Sequence, residues 1–80
     1  MDTIEQDLLH RIITDQTYAE YITQRIDIGD FDDVVANTIY NEVVDLLFLE
    51  RQISFEVMLE YFIGNESVTH ALKNLAKLEI

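Results

Sequence analysis

The spacing of apolar residues along this 80-residue chain predicts helices rather than strands. Apolar positions recur every three or four residues, and no segment alternates between apolar and polar over a useful length. The chain contains no proline and only two glycines, so few residues interrupt a helix. The first apolar run predicts a helix over about residues 3–13, with Thr3 and Gln6 as a capping box.

Polar residues and a glycine mark the boundaries of the next two predicted helices. Thr14 or Asp15 is expected to cap the second helix, and Gly29 to end it, since glycine commonly follows a helix C-terminus. Asp30 is then expected to cap a long third helix over about residues 31–51. Two further acids fall in its first turn, where the helix dipole favours negative charge: Asp32 and Asp33.

The third predicted helix is apolar around much of its circumference. Its main stripe consists of Val35, Ile39, Val43, Leu46 and Leu47. Val44, Phe48 and Leu49 lie off that stripe, and a small core has little room for so many large side chains. We therefore expect this helix to be central in the bundle, and Val44, Phe48 and Leu49 to form a homodimer interface.

Two shorter helices are predicted in the last third of the chain. Ser54 is expected to cap a fourth helix over Phe55–Ile63, and Gly64 and Asn65 form a strong stop and turn. A fifth helix follows from about Glu66 or Ser67. The predicted fold is therefore all-α, a bundle of four or five short helices in a single domain over residues 1–80.

The strongest compositional feature is negative charge. The chain has 16 Asp and Glu against 5 Lys and Arg, a net charge of −11. Seven acids and no base lie between Arg25 and Arg51. Such a chain repels nucleic acid and anionic lipid and attracts basic protein surfaces, so we expect a protein partner with a basic surface and no direct nucleic-acid binding.

Several functional classes lack the residues that they require. Without cysteine there is no thiolate metal site or thiol nucleophile, and the two histidines, His10 and His70, are expected to be exposed on separate helices. No glycine-rich phosphate loop is present, so we expect neither an enzyme nor a cofactor. No apolar run approaches a membrane span, and the N-terminus is acidic where a signal peptide is basic. We therefore expect a cytoplasmic protein without membrane contact.

Residues 53–80 read as a helix, a tight Gly-Asn turn and a second amphipathic helix, SVTHALKNLAKLEI. This segment resembles the helix-turn-helix of winged-helix DNA-binding domains. The resemblance implies a transcription regulator whose second helix reads DNA, although DNA binding requires phosphate neutralisation. Lys73 and Lys77 are the bases available there, against a net charge of −12 in residues 1–66. An αα-hairpin packed into a bundle explains the same pattern.

The expected function is a non-catalytic inhibitor that occupies a basic or nucleic-acid-binding surface of a larger protein. The acids expected to act as pseudo-phosphates or as partners for Arg and Lys are Asp27, Asp30, Asp32, Asp33, Glu42 and Asp45. Carboxylates one helical turn apart are separated by about 5–6 Å, which is comparable with phosphate spacing along a DNA strand. Small acidic proteins of phages and mobile elements use such mimicry, and this chain resembles them in its acidity and small size. The alternative is an adaptor that binds through apolar helix faces, with charge supplying solubility.

Overall fold

The computed structural model describes residues 1–78, apart from the side chain at position 28, and confirms the all-α fold. Within those residues the chain forms five α-helices and no strand. The helices are α1 (Thr3–Thr14), α2 (Gln16–Ile22), α3 (Val34–Phe48), α4 (Phe55–Tyr61) and α5 (Glu66–Ala76), with one 3₁₀ turn at Ile28–Asp30. None of the described helices is long and apolar enough to cross a membrane.

The first two helices begin at aspartates. Asp2 caps α1 by accepting a hydrogen bond from the Glu5 backbone N–H, and Glu5 accepts one from the Asp2 N–H in return. The capping box therefore lies one residue earlier than the predicted Thr3 and Gln6. Asp15 caps α2, as one of the two predicted alternatives. Gly29 does not end α2, which stops at Ile22 well before the 3₁₀ turn.

The central helix is shorter at both ends than the predicted 31–51, and its cap is Asp33 rather than Asp30. The Asp33 carboxylate accepts from the Ala36 N–H at 3.0 Å. The side chain of Phe31 is buried in the core, and residues 31–33 form the non-helical approach to α3. The burial of Phe31 therefore explains why α3 begins later than predicted. Asp30 instead accepts a hydrogen bond from the Asp27 backbone N–H within the preceding turn.

The C-terminus of α3 closes in a Schellman motif that has glutamate where glycine is usual. The Arg51 N–H donates to the Leu46 carbonyl at 2.8 Å, and the Glu50 N–H donates to the Leu47 carbonyl at 3.1 Å. Glu50 has φ +57°, the left-handed region that side chains disfavour. The motif turns the chain sharply, so that Leu49 and Arg51 both lie beside α4.

The core is built where α1, α3 and α5 each contact the other two, while α2 packs on α1 and α4 packs on α5. Helix α3 is one of these three helices and contributes six buried residues, more than any other described helix, in keeping with its expected place in the core. Each helix contributes buried apolar side chains, among them Leu9, Ile12, Ala19, Ile39, Val43, Leu46, Met58 and Leu72. Tyr40 is also buried, with its ring against Phe31 and its hydroxyl donating to the Ile26 carbonyl. This bond anchors the segment before α3 to the core.

His10 is not an exposed surface histidine as predicted, because α5 packs over it. Its Nδ1 lies 2.7 Å from the Leu75 carbonyl oxygen, and its ring lies 5.8 Å from the ring of Phe55. His70 is exposed, with its Nε2 3.2 Å from the Asn74 side chain. His10 therefore links α1 to α5 and serves the packing of the bundle.

The last two helices form a hairpin, in which the cap predicted at Ser54 is confirmed and Asn65 of the predicted turn is a second cap. Ser54 caps α4 and Asn65 caps α5, each accepting from the backbone N–H three residues later. Gly64 has φ +92°, a conformation that L side chains rarely adopt, so the glycine is needed for the turn. The hairpin fits both the packed αα-hairpin and the helix-turn-helix interpretation of this segment.

We predict that Glu50→Gly stabilises the protein. A left-handed conformation costs a non-glycine residue about 1–2 kcal/mol, whereas glycine adds about 0.5–1 kcal/mol of unfolded-state entropy. The expected net gain is about 1 kcal/mol, which for a domain of this size raises the melting temperature by about 4–8 °C. Thermal and urea unfolding measure the change.

Glu50→Gln is the matched control, since it removes the same charge but keeps the left-handed strain. Its melting temperature should rise by much less than that of Glu50→Gly. Equal stabilisation by the two variants would show that charge, rather than backbone conformation, is the unfavourable feature of Glu50.

Candidate functional site

Four of the six predicted site acids lie in the connection between α2 and α3, and two of these have roles within the chain. Asp30 holds the backbone of Asp27, and Asp33 caps α3. Asp33 also forms an ion pair with the amino group of Met1 at 2.9 Å. This hydrogen bond and the backbone donors of α3 lower the pKa of Asp33.

Asp27 and Asp32 are the acids of this connection whose side chains remain free to engage a partner. Both are exposed, and within residues 1–78 neither carboxylate forms a hydrogen bond or ion pair. Burial raises the pKa of the Tyr40 hydroxyl, and the negative charges of Asp27 and Asp30 raise it further. The Tyr40 hydroxyl donates to the carbonyl of Ile26, next to Asp27, and Asp30 bonds to the Asp27 N–H, so both acids lie at one end of the bundle. We name Asp27, Asp30, Asp32 and Asp33 the acidic connection.

The other two predicted acids lie one turn apart in the C-terminal half of α3, and the structure separates their environments. Asp45 is exposed as expected, but Glu42 is only 7% exposed. On a helix, Glu42 lies about 60° from Ile39 and on the same side as Leu46, so packing of that stripe covers it. Burial raises the pKa of Glu42, Asp45 raises it further, and the Tyr61 hydroxyl partly opposes the shift.

The six acids do not form one continuous row. Residues 34–41 of α3 contain no acid, and Asp33 and Asp45 are separated by about 18 Å along the helix axis. The structure therefore presents the acidic connection at one end of α3 and the pair Glu42 and Asp45 toward the other. Any partner that meets both must span about that distance.

Glu42 lines a cleft that sequence reasoning missed. The α3–α4 cleft, of about 630 Å³, is lined by Glu42, Leu46, Leu49, Arg51, Gln52, Val57, Glu60 and Tyr61. The left-handed turn at Glu50 places Leu49 and Arg51 in the lining of this cleft. The spacing of Glu42, Leu46 and Leu49 places them on one side of a helix, which could have indicated the α3 side of the cleft from the sequence. The contribution of α4 could not be predicted from the sequence, because it depends on how α4 packs relative to α3.

The predicted dimer residues do not share one surface. Phe48 is 85% exposed and lines a shallow groove with Val44 against α2. Leu49 is 59% exposed and lines the α3–α4 cleft instead. Consecutive residues on a helix diverge by about 100°, which accounts for the separation of Phe48 from Leu49.

Ion pairing within the chain neutralises little of the acidic charge. In the described part of the chain, the ion pair between Met1 and Asp33 is the one salt bridge. Arg11 and Arg25 instead stack on the rings of Tyr18 and Tyr21. Comparisons with protein-family models, with curated proteins and with solved structures gave no match.

We predict that Glu42→Gln stabilises the protein increasingly as the pH rises above about 4.5, the ordinary pKa of a glutamate. With a raised pKa, folded Glu42 holds its proton to higher pH than unfolded Glu42. Wild-type stability therefore falls as the pH rises through this interval and stays lower at neutral pH. Glutamine does not titrate, so the variant lacks this loss.

Urea unfolding of both proteins at about pH 4 and about pH 7.5 measures the effect. Glu20→Gln, an equal charge change at an exposed position of α2, is the control and should not reproduce it. If the advantage of Glu42→Gln were the same at both pH values, ionisation of a buried Glu42 would not be its cause.

Proposed function

We propose that this protein is a non-catalytic inhibitor that occupies a basic or nucleic-acid-binding surface of a larger protein in the cytoplasm. The observation that carries the proposal is the lack of internal neutralisation. Of the acids in residues 1–78, the one that forms an ion pair is Asp33, with the N-terminal amine. The remaining charge is left for a partner that supplies Lys and Arg.

The arrangement of the acids supports contact at two points rather than along a row. The acidic connection would meet one group of cations, and Asp45 with the acids beside α4 would meet another about 18 Å away. Long-range attraction would speed association, and desolvated charge pairs at the contact would provide specificity. Imitation of DNA phosphates is one form of this interaction, in which the protein competes directly with DNA for the partner.

A second candidate function, an adaptor that binds through apolar helix faces, is favoured by the large exposed apolar side chains. Phe48 and Ile63 are 85% and 84% exposed, and Val44 extends the surface at Phe48. Burial of such side chains would stabilise a complex by the hydrophobic effect. A homodimer through Val44 and Phe48 is the simplest complex of this kind.

We predict that the double variant Asp27→Asn/Asp32→Asn loses at least tenfold in affinity for its basic partner while keeping native helix content. Neither side chain bonds within residues 1–78, so their loss removes partner contacts alone. Loss of a charge pair at an interface costs about 2 kcal/mol or more when it is desolvated. Capture from lysate at low salt, identification by mass spectrometry and then titration of the purified partner measure the affinity.

Asp7→Asn/Glu20→Gln is the matched control, because it removes the same charge from exposed positions outside the acidic connection. Its affinity should stay within about threefold of wild type and should fall steeply with salt, as for wild type. Equal losses in both double variants would indicate diffuse charge attraction. Binding of DNA by wild type that Lys73→Ala/Lys77→Ala abolishes would favour the helix-turn-helix alternative instead.

We predict that Phe48→Glu converts the protein to a monomer if the adaptor surface forms a homodimer. The substitution places charge in the middle of the surface that self-association would bury. Analytical ultracentrifugation of wild type and variant at high micromolar concentration measures the change. Ile63→Glu, an equally exposed apolar position, should leave the assembly intact. A monomeric wild type at that concentration would rule out the homodimer.

A further inference from the structure

The α3–α4 cleft contains a buried carboxylate without a cationic partner. Glu42 is more than nine-tenths buried and lines the cleft, yet it forms no ion pair within residues 1–78. Arg51 lines the same cleft without approaching any carboxylate to within salt-bridge distance. Loss of water around a carboxylate is costly unless a cation pairs with it, and for Glu42 the compensation within residues 1–78 comes from the Tyr61 hydroxyl rather than from a cation.

The tyrosines provide an independent sign of what the cleft could bind. Arg11 lies 4.0 Å from the ring centre of Tyr18, and Arg25 lies 3.7 Å from that of Tyr21. Tyr40 is buried in the core. Tyr61 is 62% exposed and contacts Phe62 edge-on, and no cation of residues 1–78 stacks on it. Its ring lies in the cleft together with Glu42.

The rest of the cleft suits a long side chain with a charged end. Leu46, Leu49 and Val57 provide apolar contact for a methylene stem. Glu60 adds a second carboxylate to the lining, and Asp45 lies close enough to Glu42 to influence its ionisation. These groups give the cleft an apolar wall, an aromatic face and an excess of negative charge over the one cation, Arg51.

We propose that the α3–α4 cleft binds an arginine side chain of the partner protein, with the guanidinium between Glu42 and the ring of Tyr61. The inference rests on the proposed function, since it names the group through which a basic partner is recognised. Arginine fits better than lysine, because its planar guanidinium can stack on an aromatic ring and bond to a carboxylate together. Pairing with Glu42 would compensate the burial of that carboxylate.

The test uses a defined probe, the capped amino acid N-acetyl-arginine N-methylamide, titrated into the isotope-labelled full chain. We expect saturable NMR shifts at the backbone amides of Glu42, Leu49 and Tyr61. The citrulline analogue, which has the same shape without charge, and the lysine analogue should each bind at least fivefold more weakly. Glu42→Gln should weaken arginine binding at least tenfold, whereas Glu20→Gln, the same substitution at an exposed position of α2, should alter it by less than twofold.

Substitutions of Tyr61 test the stacking separately. Tyr61 is exposed, so the fold should tolerate Tyr61→Leu, which should weaken binding several-fold, while Tyr61→Phe should nearly retain it. Circular dichroism of each variant checks that the fold is intact. Equal binding of the citrulline and arginine probes would overturn the inference and identify an apolar site.

Other outcomes separate this inference from the proposed function. If the probe caused no NMR shifts at the cleft residues, or if Glu42→Gln and Glu20→Gln weakened its binding equally, the inference about the cleft would be overturned. Capture of a basic partner would be unaffected by either result. A dimer in sedimentation that Tyr61→Leu dissociates would show that a second copy occupies the cleft, which also overturns the inference. The probe could instead bind in the cleft while no partner is found whose affinity falls with salt. That result would refute the proposed function and, with it, the partner protein as the source of the arginine.

Discussion

Burial of α3 against α1 and α5 constrains most other features of this molecule. In a chain of 80 residues these three helices supply much of the core, and Ile39, Val43 and Leu46 must all face it. The acids of the middle segment are therefore excluded from the contact sides of α3. They occur in the connection before the helix and along its edge next to α4. Glu42 lies at the boundary between these regions, which is why it is both acidic and buried.

The acidic residues also contribute to folding, through helix caps more than through ion pairs. Asp2, Asp15 and Asp33 cap the first three α-helices, and each cap is worth about 1 kcal/mol. Because caps use backbone N–H groups as donors, they leave the negative charge of the side chain unneutralised. The chain can therefore be stabilised by its carboxylates and still present a strongly negative field to other proteins.

Most of the fold could be predicted from the sequence, because helical periodicity and local capping depend on residues close together in the chain. Those grounds predicted the cap at Ser54 and the turn at Gly64 and Asn65. The choice of Asp33 over Asp30 as a cap could not be predicted, since both are good caps and burial of Phe31 decides between them.

The candidate site was predictable only in part. The net charge and the acidic connection are properties of the sequence. The exposure of Asp27, Asp32 and Asp45 was predictable because charged side chains are seldom buried. The burial of Glu42 depends on its angular position beside Leu46, which a helical projection shows. The cleft requires α4 to lie near the end of α3, and nothing local in residues 55–61 specifies that placement.

The two walls of the α3–α4 cleft belong to different packing units. One wall is the edge of α3, which is fixed by α1 and α5, and the other is α4, which packs chiefly on α5. Residues 49–54 join the walls directly. A displacement of α4 would change the width of the cleft while the mutual contact of α1, α3 and α5 stays intact. Because Met58 of α4 is fully buried in the core, the width of the cleft is tied to how α4 packs on α5.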